Sequence, residues 1–100
     1  MSFQLDANIE RDSRHIIDLT LCEVRLQNED RFPWIVLIPR KPDIVELIDL
    51  EMEDLHQLTE EIAFASHAMR TLFGPDKLNV GSLGNSVRQL HIHIIARHEK

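Results

Sequence analysis

The sequence predicts an α+β fold in which one long helix packs on one face of an antiparallel β-sheet. The first indication is a stretch from about residue 49 to residue 73 whose apolar residues recur every three or four positions. The second is a set of short apolar or alternating segments on either side of it, which are typical of strands. The third is their order along the chain. Strands, then one helix, then strands favour an α+β arrangement.

The length and charge of the chain limit both its architecture and its partners. One hundred residues predict one domain, residues 1–100, because a chain of this size supports one core. There are 11 basic and 17 acidic residues, which give a formal net charge of -6. Proteins that bind nucleic acids carry a basic patch. The only adjacent basic pair here is Arg40-Lys41, so no nucleic acid polymer is expected as a partner.

Cysteine content and apolar run lengths indicate the compartment. The single cysteine, Cys22, forms no intrachain disulfide and is expected to be a buried thiol in a strand. The first residues lack the basic and apolar regions of a signal peptide. No apolar run approaches the ~20 residues needed to span a bilayer. The sequence therefore predicts a soluble cytoplasmic protein with no membrane partner.

Two strands are predicted before the helix, after a polar lead-in over residues 2–12 with a turn of helix around Leu5. The first lies in the apolar-rich residues 15–26, alternates from Asp18 and ends near Leu26. The second is the apolar run 34–38, where flanking prolines oppose a helix and β-branched residues favour burial on both faces. Residues 27–31 have the length of a hairpin connection. These two strands should therefore pair antiparallel.

The long helix is predicted to start near Asp49, after a loop at residues 40–43 and a short helical turn at residues 44–48. Acidic residues in its first turns and Arg70 in its last turn match the helix dipole. Gly74-Pro75 ends it. Its predicted buried stripe consists of Met52, Leu55, Leu58, Ile62, Ala65, Met69, Leu72 and Phe73.

Two more strands are predicted after the helix, at residues 77–80 and 87–97, with a glycine-bearing turn at residues 81–85 between them. The final strand alternates strictly. Its apolar face, which should pack on the helix, consists of Leu90, Ile92, Ile94 and Ala96. Its polar face consists of Gln89, His91, His93 and Arg97.

The histidines of the final strand, His91 and His93, are the main candidates for chemistry. Side chains two residues apart on a strand point to the same side, roughly 7 Å apart. Three interpretations are open. Both residues could be surface residues of an amphipathic strand, or two ligands of a zinc or copper ion whose other ligands no motif supplies. Alternatively, one ring could be a nucleophile that attacks phosphorus.

The turn before the final strand favours the phosphorus chemistry. Gly84 lets backbone N–H groups approach an anion. Asn85 adds an amide donor and Ser86 a hydroxyl donor. Alone, this segment is equally well explained as a hairpin turn. Beside two histidines, it indicates a phosphoryl-transfer site.

These segments resemble the signature of the histidine triad (HIT) superfamily, in which three histidines alternate with apolar residues. The resemblance rests on Asn79-Val80-Gly81, on Asn85-Ser86-Val87, on the segment from Gln89 to Arg97, and on the earlier apolar run that ends in Ile-Pro. It implies a HIT-like fold and a nucleotide hydrolase or nucleotidyl transferase that acts at an α-phosphate. It further implies a homodimer whose two sheets join into one, and catalysis without a metal or other cofactor.

The resemblance also implies residue roles. His91 matches the nucleophile that forms a covalent nucleotidyl-histidine intermediate. His93 matches the last histidine and Ser86 the hydroxyl residue five positions before the nucleophile, and both would contact the α-phosphate. Asn79 matches an asparagine that lines the phosphate site. Asn28 matches the acidic residue that holds the ribose hydroxyls.

Two positions depart from the family pattern. Gln89 occupies the first triad position, where it keeps a donor and an acceptor but cannot change charge near neutral pH. Trp34 occupies the position of a further histidine of the family's catalytic network. If the first histidine of the family acts mainly through hydrogen bonds, activity survives at Gln89. If it relays a proton, activity falls.

The resulting prediction is an enzyme in which His91 attacks in line while Gln89, His93, Ser86 and the backbone at Gly84 hold the phosphate oxygens. Water then releases a nucleoside monophosphate. Candidate substrates are dinucleoside polyphosphates, nucleoside phosphoramidates, and acyl or sulfo nucleotides. The alternatives are a nucleotide-binding module with little turnover and a metal-binding strand protein.

Overall fold

One antiparallel sheet and one long helix make up most of the computed structural model, which describes residues 2–99. The elements are α1 (Ala7–Asp12), β1 (Ser13–Asp18), β2 (Cys22–Gln27), β3 (Trp34–Pro39), a 3₁₀ turn (Leu47–Asp49), α2 (Met52–Phe73), β4 (Lys77–Ser82) and β5 (Ile92–Arg97). The five strands lie in the order β1-β2-β3-β5-β4, and all neighbours are antiparallel. The predicted α+β fold is confirmed.

Helix α2 covers one face of the sheet. Its buried residues Leu58, Ala65 and Met69 share one core cluster with the apolar face of β5. This face is the predicted one, and it consists of Leu90, Ile92, Ile94 and Ala96. Gly74 ends the helix as predicted, with a left-handed φ of 54° and an N–H that donates to the Arg70 carbonyl.

The ends of α2 differ from the prediction. The helix begins at Met52 rather than near Asp49, and the predicted helical turn at residues 44–48 is a 3₁₀ turn at Leu47–Asp49. Three residues of the predicted buried stripe are exposed at these ends: Met52 (65%), Leu72 (73%) and Phe73 (44%). The apolar periodicity therefore predicted a longer buried face than the helix has. Among residues 2–99, no helix is long and apolar enough to cross a bilayer.

The N-terminal segment covers the other face of the sheet. Phe3, Leu5 and Ile9 pack against Val36 and Ile38 of β3 in a second core cluster. The lead-in described above as polar is therefore a structural layer, and its helix begins at Ala7, after the capping residue Asp6, rather than around Leu5. This second layer explains why β3 is buried on both faces, as predicted.

The single strand predicted to end near Leu26 was wrong, because the segment is a hairpin of β1 and β2 with a turn at residues 19–21. The turn is held by two side chains that the pattern did not reveal. Buried Glu61 of α2 accepts hydrogen bonds from the N–H groups of Leu21 (2.7 Å) and Cys22 (2.8 Å). Arg40 donates to the carbonyls of the same turn. Cys22 is fully buried, as predicted, and burial raises the pKa of its thiol.

The final strand begins at Ile92, not at residue 87, and β4 continues to Ser82 rather than ending at residue 80. Pairing of β4 with β5 stops at the pair Ser82 and Ile92. The preceding residues are bound elsewhere, since the Leu90 N–H donates to the Ile44 carbonyl (2.9 Å). Only one of the two candidate histidines, His93, therefore lies on the strand.

Candidate active site

A cavity of about 280 Å³ lies beside the loop that joins β4 to β5. One wall is the loop itself, from Ser82 to Asn85, and continues with the segment from Val87 to His91. The other wall is formed by Val45 and Glu46. The hydrogen bond between Leu90 and Ile44 joins the two walls. The predicted anion-binding turn and His91 therefore line one cavity.

His91 is 7% exposed, and its ring orientation is fixed by its own segment. Its Nδ1 lies 2.7 Å from the backbone carbonyl oxygen of Gln89. A carbonyl oxygen only accepts, so Nδ1 must carry a proton. In the neutral ring, Nε2 therefore holds a free lone pair. This is the tautomer that a nucleophilic histidine with its reactive atom at Nε2 requires.

Gly84 lies directly against His91 Nε2. A methyl group built on Gly84 would approach Nε2 to 3.4 Å and Cε1 to 3.5 Å. The φ of Gly84 is 97°, a conformation that side chains rarely adopt, and this explains why a glycine stands here. The backbone of the loop therefore lies next to the Nε2 side of the ring.

His93 is the second ring of the site and is half-buried at the start of β5. The His91 and His93 rings are 4.8 Å apart between centroids and meet edge to face at 71°. The indole N–H of Trp34 donates to His93 Nδ1 at 2.9 Å. Burial lowers the pKa of His93, as does the nearby charge of His91, whereas a backbone hydrogen bond with Leu83 raises it.

Gln89 faces away from the ring pair. Its Oε1 accepts from the Asp6 N–H and its Nε2 donates to the Gln4 carbonyl, both at 2.8 Å. The side chain therefore joins the segment before β5 to the N-terminal layer. Its backbone carbonyl, in contrast, holds His91. The structure thus gives Gln89 contacts with the protein at the position where a phosphate contact was predicted.

The remaining phosphate candidates are distributed around the loop. Asn85 lines the cavity together with Gly84. Ser86 is exposed, and it is not one of the described residues that line this cavity. Asn79 lies on β4, where its Oδ1 accepts from Arg97 Nε at 2.7 Å. The sequence placed these residues on one loop and strand, and the structure brings Gly84 and Asn85 to the cavity.

Asn28 lies in a different region. It lines a separate cavity of about 520 Å³ near the end of β2. Its backbone N–H donates to the Asp12 carbonyl (2.8 Å), and its amide donates to the Arg11 carbonyl (3.4 Å). The neighbouring Glu29 supplies a carboxylate to the same cavity. Hydrogen bonds from Arg31 lower the pKa of Glu29 to about 2.

Three residues of the histidine cavity were missed by the sequence analysis. Val45 and Glu46 come from the loop after β3, and no motif marks them. Arg88 also lines the cavity. Its position directly before Gln89 could have identified it from the sequence. Arg88 matters because it is a cation next to a predicted phosphate site. Within residues 2–99, no group of three or more His, Cys, Asp or Glu residues is arranged to hold a metal ion.

The chain matches the HIT domain over residues 8–100 and therefore belongs to the histidine triad family. Proteins of this family are generally nucleotide-binding hydrolases and transferases. Among curated proteins no match was found.

Three solved structures are closely similar. A histidine triad protein from Bradyrhizobium japonicum is 42% identical, with a TM-score of 0.96 over 98% of this chain and 73% of that chain. One from Sinorhizobium meliloti 1021 is 44% identical, with a TM-score of 0.95 over 97% of this chain and 72% of that chain. One from Marinobacter aquaeolei VT8 is 40% identical, with a TM-score of 0.96 over 98% and 72% of the two chains.

Proposed function

We propose that this chain is a nucleotide hydrolase or nucleotidyl transferase that acts at the α-phosphate of a nucleotide conjugate through His91. The observation that carries the proposal is the tautomer of His91. The Gln89 carbonyl holds Nδ1–H, and the free Nε2 faces the backbone of Gly84 in a cavity. A buried ring with one nitrogen committed to a carbonyl and the other directed at an anion-binding loop is suited to covalent catalysis.

The proposed reaction has two displacements. His91 Nε2 donates its lone pair to the α-phosphorus, and the bond from phosphorus to the leaving group breaks with its electron pair on the leaving group. The positive charge that develops on the ring is stabilised by the hydrogen bond from Nδ1–H to the Gln89 carbonyl. Water then attacks the same phosphorus, loses a proton and releases a nucleoside monophosphate and free His91. Neither step requires a metal.

The groups that hold the phosphate oxygens come from the loop and from β5. His93 can donate through Nε2, because its Nδ1 accepts from Trp34. Asn85, Ser86 and the backbone at Gly84 are the other proposed donors. Arg88, which lines the cavity, adds positive charge. Donors that are already in place before charge develops lower the barrier most effectively.

Gln89, Asn79 and Asn28 take more distant roles in this proposal. Gln89 orients His91 through its backbone carbonyl while its side chain fixes the segment to Gln4 and Asp6. Asn79 lies away from the cavity, because it pairs with Ile95 and its Oδ1 accepts from Arg97, so this proposal gives it no direct contact with the phosphate. Asn28 is proposed as a ribose contact, and it would reach the nucleotide from a cavity separate from the one beside His91.

We also propose a homodimer that forms through β4 and functions in the cytoplasm. β4 is an edge strand of the sheet. Val80 on this strand and Leu83 just after it are 47% and 66% exposed. An unpaired edge with apolar side chains favours pairing with another strand. The single buried thiol is compatible with a reducing compartment.

The test is single-turnover labelling with a dinucleoside polyphosphate that carries radiolabel in its α-phosphate. Label should be trapped on the wild-type protein and absent from His91→Ala. The matched control is His67→Ala, because His67 is an exposed histidine on α2. It should label like the wild type.

Other outcomes would support the rival functions. Tight nucleotide binding with no trapped label and no turnover would indicate a binding module. Stoichiometric zinc or copper in the purified protein, lost in His91→Ala and His93→Ala, would indicate a metal-binding protein. Equal labelling of wild type and His91→Ala would eliminate His91 as the nucleophile.

A further inference from the structure

We propose that Trp34 is a positioning residue that fixes His93 in a single neutral tautomer, with its proton on Nε2. Trp34 is the only tryptophan of the chain and begins β3. Its ring meets that of His93 edge on, with 5.5 Å between centroids. The effect on catalysis rests on the proposed function, whereas the tautomer itself does not.

The direction of one hydrogen bond determines the tautomer. The indole Nε1–H of Trp34 lies 2.9 Å from His93 Nδ1 and can only donate. Nδ1 must therefore present its lone pair, so the proton of the neutral ring is on Nε2. The Leu83 backbone also lies near the ring, where it raises the pKa of His93. The Trp34 contact alone therefore fixes which nitrogen of the neutral ring carries the proton.

The same contact opposes a charged His93. Protonation of Nδ1 would direct its N–H at the N–H of Trp34 and break the bond between them. From β3, Trp34 and Val36 face the ring, and β4 places Gly81 opposite it. The loop contributes the Leu83 backbone, and the segment before β5 contributes His91. None of these groups is a carboxylate that would stabilise a cation.

In the proposed reaction, Trp34 and Gln89 together leave His91 as the one ring that forms and breaks a bond to phosphorus. Gln89 carries no charge, and its amide is committed to the N-terminal segment. His93 is held as a fixed hydrogen-bond donor on the side of the cavity loop. A site of this kind stabilises phosphate oxygens without a proton relay through its neighbours. Replacement of two histidines of the family network is then compatible with catalysis.

Nitrogen NMR of the histidine rings in the substrate-free protein tests the proposal directly. In wild type, His93 Nδ1 should show the shift of an unprotonated nitrogen and Nε2 that of an N–H. Trp34→Phe keeps an aromatic ring but removes the donor. It should lower the preference for the Nε2–H tautomer roughly fivefold, the equivalent of one ordinary hydrogen bond, and raise the pKa of His93. Phe64→Leu, at an exposed aromatic residue of α2, is the control and should leave the His93 signals unchanged.

A second measurement uses wild type and does not depend on the folding of Trp34→Phe. A protonated imidazole quenches a neighbouring indole, so the fluorescence of Trp34 reports the state of His93. We expect the Trp34 fluorescence to decrease as the pH falls, with the same midpoint as the NMR titration of His93. His93→Gln should show no such transition. A wild-type His93 with its proton on Nδ1, an unchanged tautomer in Trp34→Phe, or fluorescence independent of the His93 titration would each overturn the proposal. Absence of turnover would instead count against the proposed function alone.

Discussion

At the scale of single residues, the site depends on close contacts between His91 and its neighbours. Gly84 is the neighbour on the Nε2 side of the ring, and its φ of 97° is a conformation that side chains rarely adopt. We therefore expect Gly84→Ala to strain the loop and move it, and to reduce kcat/KM by about 100-fold if the loop moves by about 1 Å. The measurement is steady-state hydrolysis of a dinucleoside polyphosphate.

Gly81→Ala is the matched control for this substitution. A methyl group on Gly81 meets only Leu83 Cγ, at 3.8 Å, which is an ordinary contact. Its effect on kcat/KM should be much smaller than that of Gly84→Ala. Similar losses in both variants would show that the loop, and not the approach to His91, limits activity.

Gln89 links the segment before β5 to the N-terminal layer. Gln89→Ala removes hydrogen bonds to the Asp6 N–H and the Gln4 carbonyl, and should lower the free energy of unfolding by about 1–2 kcal/mol. It should also increase hydrogen exchange at the Asp6 amide. Urea denaturation and exchange measurements test both effects. Gln4→Ala keeps the backbone carbonyl and should have little effect, so equal destabilisation by the two variants would contradict the assignment.

At the scale of elements, the turn between β1 and β2 is held by a side chain from the opposite layer. Glu61 is 4% exposed and accepts from Leu21, Cys22 and the Gln57 amide. Glu61→Ala leaves two buried N–H groups without these partners and should reduce the free energy of unfolding by roughly 3 kcal/mol. Chemical denaturation measures this change. Glu60→Ala, one residue earlier and exposed, should change stability by less than about 0.5 kcal/mol. Loss of stability in both variants would refute the role of Glu61.

The elements also show what could be read from the sequence. The buried strand β3, the end of α2 at Gly74 and the apolar face of β5 follow from local patterns, so they were predicted. The β1–β2 turn was missed because Glu61 is 39 residues from Cys22 along the chain. The start of β5 was misplaced because alternation continues through Gln89, although the backbone there is bound to Ile44. Long-range hydrogen bonds determined the outcome in both cases.

The same distinction applies to the candidate site. The two histidines and Gly84 were found because they lie in one short segment with recognisable chemistry. Val45 and Glu46 were missed because they reach the cavity from a loop about 40 residues earlier. The direction of the Gln89 side chain, toward the N-terminal segment, was also missed, because its partners lie in the first six residues. A sequence pattern identifies the reactive groups more readily than the groups that position them.

At the scale of the whole molecule, the exposed edge of β4 predicts assembly. Light scattering coupled to size exclusion should give twice the chain mass of 11.7 kDa. Val80→Lys places a charge on the exposed edge and should shift the protein to a monomer, because edge lysines oppose strand pairing. A wild-type monomer at high concentration would contradict the proposed dimer.

The histidine cavity is lined by residues from distant parts of the chain, so the proposed site forms only in the folded protein. The most direct test of His91 as the nucleophile is mass spectrometry of a reaction that is stopped, without acid, within one turnover. Trypsin cleaves after Arg88 and after Arg97, so it should release residues 89–97, which contain both histidine rings. We expect the added mass of a nucleoside monophosphate on His91, located by fragmentation. Turnover with the added mass on His93, or with no modified peptide, would contradict His91 as the nucleophile.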